Sequence, residues 1–473
     1  MAPHREGSEE EQWRDELSRF GLPRLDHSVK FDHDLWQRRW KSQRRHLSRA
    51  QRRWAWPAAA ALVAVLLAGA PILLSLSHRP SAPTQPTSKH PSAIESPLTM
   101  SVLSMRMTSP ANAFALVTLS DSKLSAWSLH QMFSSSSSPE MALLRTSDGG
   151  AHWSDVTPPD PFSGTRNEFG SSLFFLNRTA GWLAIEVQGK GAGSTIAVAR
   201  TTDAGTHWQV STFSASVQGG LYLDFTTPQD GWILALSTPG AGQMEKVLYA
   251  TIDGGKTWRQ VSCSCNLSNT SLPNTSYPTG FSFNAKQGFV TALYHGDPYP
   301  WFYGSPDGGR TWQQIALPLP VAYRNDYANV YPPVFSGLDG SMSVQFVGQK
   351  ASAIVVYKTR DGGQTWQPVG SSPVPSSANM ATLGWSSPTD GYLLSPNGHK
   401  LYLTRDGGQS WAAEVLPPKV ATALAEGIVP IVSFADPQHG LLIAPTRSGT
   451  ANIYITADGA RKWKALSPQV VTH

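Results

Sequence analysis

Cysteine is nearly absent: the 473 residues hold two, Cys263 and Cys265, with one residue between them. A bridge across a single intervening residue is strained, and two thiols alone do not complete a zinc site, so no disulfide framework and no metal centre is read from them. Residues 1–54 contain no cysteine, which excludes a zinc-bearing regulatory finger there. Charge is scarce as well. Asp, Glu, Lys and Arg make 15% of the chain, against about 25% in ordinary soluble proteins, and that excludes a highly charged disordered chain. What is plentiful points elsewhere. Forty Gly, 36 Pro and 17 Trp suit many tight turns and large apolar plugs, and so an all-β protein.

The formal charge of +5 invites a nucleic-acid reading until its location is considered. Residues 1–54 hold 13 Lys and Arg against 9 Asp and Glu, which leaves 25 basic and 24 acidic groups for the rest. The remainder is almost neutral, and no nucleic-acid partner is expected. Eight basic residues, Arg38, Arg39, Lys41, Arg44, Arg45, Arg49, Arg52 and Arg53, run without an acidic residue up to Trp54. The 22 residues Ala55–Leu76 that follow carry no charge. At 1.5 Å per residue they reach across a hydrocarbon core of about 30 Å, and they read as a transmembrane helix. The alternatives are a buried globular helix and a cleaved signal peptide; the long segment before the run favours a retained anchor. Basic residues on one flank put the N-terminus in the cytoplasm and everything after residue 76 outside, a single-pass type II arrangement in the cell membrane. Residues 77–100, with Pro80, Pro83, Pro86, Pro91 and Pro97 among Ser and Thr, form a Pro/Ser-rich stalk.

Beyond the stalk the chain repeats. The octets TSDGGAHW (146–153), TTDAGTHW (201–208), TIDGGKTW (251–258), SPDGGRTW (305–312), TRDGGQTW (359–366), TRDGGQSW (404–411) and TADGARKW (456–463) recur at a mean spacing of about 52 residues. They place Asp148, Asp203, Asp253, Asp307, Asp361, Asp406 and Asp458 in turns, closed by Trp153, Trp208, Trp258, Trp312, Trp366, Trp411 and Trp463. Glycine supplies the positive φ of a tight hairpin turn, the Asp carboxylate accepts hydrogen bonds from the turn's own amides, and the Trp seals the gap to a neighbouring sheet. A second element precedes most octets: an apolar strand, a polar turn, Gly-aromatic and another strand, as in LYLDFTTPQDGWILAL (221–236). Four strands per repeat, seven repeats, predict a seven-bladed β-propeller of four-stranded antiparallel blades over residues 101–468, with 469–473 as a tail. No strand is left over after the last blade, so ring closure is expected to rest on packing of the first blade against the seventh, with Ile94–Met100 as a possible edge strand.

The octets resemble Asp-boxes, the bacterial neuraminidase repeat S/T-x-D-x-G-x-T-W of sialidases and sortilin-like receptors. With the phased Gly-aromatic hairpin, residues 100–468 resemble the photosystem II assembly and stability factor family. That resemblance implies a seven-bladed propeller that holds membrane-protein intermediates; the long basic segment and retained anchor differ from that family's usual leader.

In this strand order the first-to-second strand turns and the octets share one face, and the longer connections share the other. The richest of the latter bring Tyr294, His295, Asp297, Tyr299 and Trp301 beside Tyr323, Arg324, Asp326, Tyr327 and Tyr331. Exposed aromatics with an arginine suit a protein or sugar contact; the alternative is that they pack between blades. A sialidase needs three converging Arg. The Arg outside the octets, Arg106, Arg166, Arg178, Arg259, Arg324 and Arg447, show no such triad. Asp224, Glu168 and Glu186 are conceivable acids for a two-carboxylate glycosidase. The reading is therefore a membrane-anchored, extracytoplasmic, non-enzymatic scaffold for a protein or glycan, with no cofactor. A cell-surface sialidase-like hydrolase is the competing class.

Overall fold

The computed structural model describes residues 100–119, 140–162, 170–188, 194–240, 242–265, 271–293, 299–348, 352–372, 383–395, 397–446, 451–467 and 469–471. The basic segment, the apolar run 55–76 and the stalk up to residue 99 lie outside them. Among the described residues no helix is long and apolar enough to cross a membrane.

Seven antiparallel sheets follow one another along the chain, each ordered A-B-C-D from first strand to last. Blade 1 is Met100–Met107, Ala113–Leu119, Glu140–Thr146 and His152–Asp155; blade 2 is Ser171–Phe175, Gly181–Gln188, Ser194–Thr201 and Gln209–Ala215. Blade 3 is Leu221–Phe225, Gly231–Leu236, Lys246–Thr251 and Arg259–Cys263; blade 4 is Tyr277–Asn284, Gln287–Leu293, Phe302–Ser305 and Gln313–Gln314. Blade 5 has its A strand in two pieces, Tyr327–Val330 and Val334–Ser336, both paired with Asp339–Val347, and then Ser352–Thr359 and Gln367–Ser371. The break falls at Pro332 and Pro333, which have no N–H to give to the ladder. Blade 6 is Leu383–Trp385, Gly391–Leu394, Lys400–Thr404 and Ala412–Val415; blade 7 is Ile431–Phe434, Gly440–Pro445, Ala451–Thr456 and Lys464–Leu466. A helix, Pro418–Ala425, joins blades 6 and 7. It opens on a proline at the first helical position, where a missing N–H is harmless.

Ring closure differs from the sequence expectation. The residues read as a tail form a strand, Gln469–Val471, that pairs in parallel with the outer strand of blade 1, Gln469 opposite His152 and Val471 opposite Ser154. The last three described residues thus tie the C-terminal end of the propeller to its first blade by backbone hydrogen bonds. On the inner side the Met107 N–H donates to Ser433 Oγ of blade 7 at 3.0 Å, so closure is bonded at both rims as well as packed.

The Gly-aromatic element has two jobs. In six blades a glycine at the first or second position of strand B lies opposite an aromatic on strand A: Phe175↔Gly181, Phe225↔Gly231, Phe283↔Gly288, Phe335↔Gly340, Trp385↔Gly391 and Phe434↔Gly440. The ring lies over the glycine so closely that a Cβ on Gly231 would stand 2.3 Å from Phe225. Blade 1, the weakest copy in sequence, has Met107 opposite Ala113 instead. A flexible thioether tolerates the methyl that a flat ring does not. The aromatic at or just after that glycine then reaches the next blade. Phe114 stacks on Phe175 at 3.5 Å, Trp182 on Phe225 at 3.7 Å, Trp232 on Phe283 at 3.8 Å and Phe289 on Phe335 at 5.1 Å. Each stack adds about 0.5–1.5 kcal/mol beyond the apolar area it buries.

The octets fold as their chemistry requires. In all seven the first hydroxyl donates to the Asp carboxylate and accepts the N–H four residues on; in blade 1 these are Thr146 to Asp148 at 2.9 Å and Gly150 to Thr146 at 2.8 Å. Burial raises the carboxyls of Asp148, Asp253, Asp361 and Asp406, but N–H and side-chain donors of the turn outweigh it and hold them at about 2. At Asp203 the bond from the His207 N–H leads, with the same result. The fifth octet residue sits against the preceding blade, where a Cβ on Gly309 would stand 2.2 Å from Leu248. The closing Trp packs there too: Trp312 clusters with Leu248 and Trp232, and Trp366 with Phe289 and Phe302.

Candidate binding site at the mouth of the central channel

Strand period 2 decides which side chains of the innermost strands turn into the core. Along Met100–Met107, Met105 and Met107 are buried and Arg106 between them is exposed. Arg106 opens into a cavity of about 190 Å³ formed where the C-terminal ends of four A strands meet, those of blades 1, 2, 6 and 7. Its apolar wall is Met105, Phe175, Trp385 and Phe434; Asn177, Ser386, Tyr392 and Ser433 bring polar groups. All four of these polar groups are already committed within the fold. Ser433 accepts the Met107 N–H, Tyr392 donates to the Val432 carbonyl at 2.8 Å, Asn177 accepts the Thr179 and Ala180 N–H groups at 2.9 and 2.8 Å, and Ser386 donates to the Asp390 carbonyl at 3.3 Å.

No hydrogen bond or ion pair engages the Arg106 guanidinium among the described residues, and no carboxylate lines the cavity. Its field is nevertheless felt on strands from other blades. Asp224, on the A strand of blade 3, is raised by burial to about 6, opposed by bonds from the Phe283 and Phe225 N–H groups and by the Arg106 charge. The Phe283 N–H approaches its carboxylate at 2.7 Å. Burial raises the Tyr392 phenol to about 12, again against the pull of Arg106. The site is a small recess whose exposed lining is mostly polar, with one cation that no hydrogen bond or ion pair engages among the described residues, and it can take a carboxylate.

This recess is on the face of the A–B turns and octets, not the one that the sequence reading favoured. Of the residues proposed there, Tyr294, His295 and Asp297 lie outside the described residues. Trp301 is buried, with its ring under the Lys246 ammonium at 5.3 Å and beside Tyr303 at 4.5 Å. Tyr323 stacks on Phe346 of the blade 5 core at 5.2 Å, and Tyr331 packs beside Ile354 and Leu393. Tyr327 is half-buried in the A strand of blade 5, while Tyr299 and Arg324 are exposed. The described members of this set divide between the cores of two blades and the surface.

Two further features escaped the sequence reading. Lys246 is 1% exposed, and its ammonium donates to the carbonyls of Met244, Thr275 and Pro273 at 2.8, 2.9 and 3.0 Å, which fastens the loop before blade 4. Burial lowers it to about 7. The second is the state of Cys263 and Cys265, which the spacing alone leaves open: they form a disulfide. The chain turns at the end of the D strand of blade 3 and brings the two Cα atoms to 5.1 Å, within the span a disulfide bridges.

No protein-family model and no curated protein matches the sequence. Solved structures do. A structure described as YCF48 bound to D1 peptide shares 14% identity over 78% of this chain and 93% of its own, at a TM-score of 0.44. The GH74 xyloglucanase from Xanthomonas campestris shares 15% identity over 77% of this chain and 54% of its own, at 0.43. The Hadza microbial sialidase shares 13% identity over 67% and 73%, at 0.41. The seven sheets make the chain a seven-bladed propeller.

Proposed function

We propose that this protein is a membrane-anchored, extracytoplasmic binding scaffold whose propeller receives a carboxylate-bearing segment of a partner protein at the channel mouth. The observation that carries this reading is Arg106, a guanidinium with no hydrogen bond or ion pair among the described residues, in a recess of about 190 Å³ that Met105, Phe175, Trp385 and Phe434 help to line. The volume is below the roughly 300–1,000 Å³ of pockets that enclose drug-sized ligands. It suits a single carboxylate group, such as the end of a polypeptide, better than a run of sugar rings. The lining offers one arginine and no carboxylate, so neither three converging arginines nor a catalytic acid pair is assembled there. The membrane part of the proposal rests on the uncharged run 55–76 and the eight basic residues before it.

Selection of a random octapeptide library on the full-length protein in detergent tests the reading. Peptides with a free C-terminal carboxylate or an acidic side chain are expected to be retained by the wild type and lost with Arg106→Gln. Equal retention by both proteins, or retention of neutral amidated peptides, would contradict it.

A further inference from the structure

We infer that Glu245, Cys263 and Cys265 form a redox-gated zinc site, closed while the disulfide stands and open once it is reduced. The two sulfurs and a carboxylate oxygen of Glu245 lie within 4.8 Å of one another. Their juxtaposition follows from the sheet. Glu245 precedes the C strand of blade 3, and the pairing of Val247 with Cys263 sets the end of the D strand beside it. Cys263 Sγ is 3.5 Å from Glu245 Oε1.

That contact has no purpose in the oxidised form, because a disulfide sulfur carries no proton to give to a carboxylate. Glu245 has no other side-chain hydrogen bond among the described residues. The cation next to it in sequence, Lys246, is turned away onto the carbonyls of Met244, Pro273 and Thr275. A carboxylate is thus held against two sulfurs with no ion pair to balance it among the described residues. Access is provided from one side: Cys263 is buried, Glu245 half-buried and Cys265 exposed.

The chemistry balances with a named reductant. A dithiol donor passes two electrons and two protons to the bridge; the S–S bond breaks, two S–H groups form, and the donor closes to its own disulfide. Zinc then displaces both thiol protons. Two Zn–S bonds of about 2.3 Å and one Zn–O bond of about 2.1 Å form, with water in the fourth tetrahedral position. The sulfurs open from bonding distance to about 3.8 Å, as tetrahedral coordination requires. Two thiolates with one carboxylate favour zinc over calcium or magnesium, which prefer all-oxygen sets.

The full-length protein in detergent is reduced with a phosphine and desalted without oxygen. Zinc uptake is then followed against a chromophoric chelator, with proton release recorded alongside. The expected result is one zinc per reduced chain with two protons released, and none per oxidised chain. Cys265→Ser abolishes uptake and Glu245→Gln weakens it about tenfold or more; both positions are solvent-accessible, and thermal melts confirm that the variants fold. Equal zinc in the oxidised and reduced proteins, no zinc in the reduced one, or wild-type affinity in Glu245→Gln would overturn the inference. The last result would assign Glu245 to accepting the Cys263 thiol proton and nothing more.

Discussion

Glu186 shows what a single side chain can cost in this fold. It lies on the B strand of blade 2, is 1% exposed, and has one oxygen bonded to the Gly219 N–H at 3.2 Å and the other without a partner. Burial raises it to about 7, against the bonds from the Gly219 and Gly220 N–H groups. In the unfolded chain the carboxyl loses its proton near 4.5, so between that pH and about 7 the folded state holds the extra proton. Its contribution to stability is complete below the unfolded value and is lost as pH rises through 7. Glu186→Gln removes the titration. Denaturant unfolding at pH 4.5 and pH 8 should show the variant gaining about 1–3 kcal/mol on the wild type between the two; parallel pH dependence would refute this. Asp224 makes a complementary prediction. Because it protonates at about 6 in the field of Arg106, acidification removes a negative charge near the recess. Affinity for a carboxylate ligand should rise about three- to tenfold from pH 7.5 to 5. Asp224→Asn, which keeps an oxygen for the Phe283 N–H, should flatten that rise, and a persistent slope in the variant would assign it elsewhere. Neither residue could be singled out in sequence. Arg106 was visible only as one of six arginines without a triad, since its surroundings come from blades 2, 6 and 7.

At the scale of elements, the repeat carries its own instructions. Each octet is a closed hydrogen-bonded turn, and each A–B hairpin is a glycine under an aromatic ring, so both were legible as short patterns. The reason for the glycine was not, because it depends on the register Phe225↔Gly231 and its equivalents. Gly231→Ala drives a methyl into the Phe225 ring, which is itself stacked on Trp182. It should destabilise by about 1–3 kcal/mol. In blade 1 the converse change, Ala113→Gly, relieves no clash and should give no gain; a stabilised Ala113→Gly, or a neutral Gly231→Ala in thermal or denaturant unfolding, would show that the ring does not set the glycine. Other elements gave weak signals. Gln469–Val471 is too short to be read as a strand until blade 1 is present to receive it, and the Pro418–Ala425 helix is a single eight-residue stretch inside a β repeat. The blade 4 and 5 aromatics misled in a different way: loop position suggested exposure, whereas Trp301 and Tyr323 fill gaps in the blades beneath.

For the whole molecule, the near-neutral propeller and the basic flank of the apolar run make separate statements. The eight arginines and lysines before residue 54 are a topology signal under the proposed anchoring, and protease added to intact cells should remove the propeller while sparing about the first 50 residues. Protection of the propeller would reverse the orientation. The ring brings residues from opposite ends of the chain to one opening, Met107 bonded to Ser433 across 326 positions. The recess that results belongs to no single repeat. The account therefore turns on whether that opening binds a carboxylate through Arg106. Calorimetric titration of one selected peptide, with free and amidated C-terminus, against wild type and Arg106→Gln forms a double-mutant cycle. The account predicts that amidation and Arg106→Gln each weaken binding about tenfold or more, and that together they cost little more than either alone. Losses that simply add, or no loss with Arg106→Gln, would contradict it.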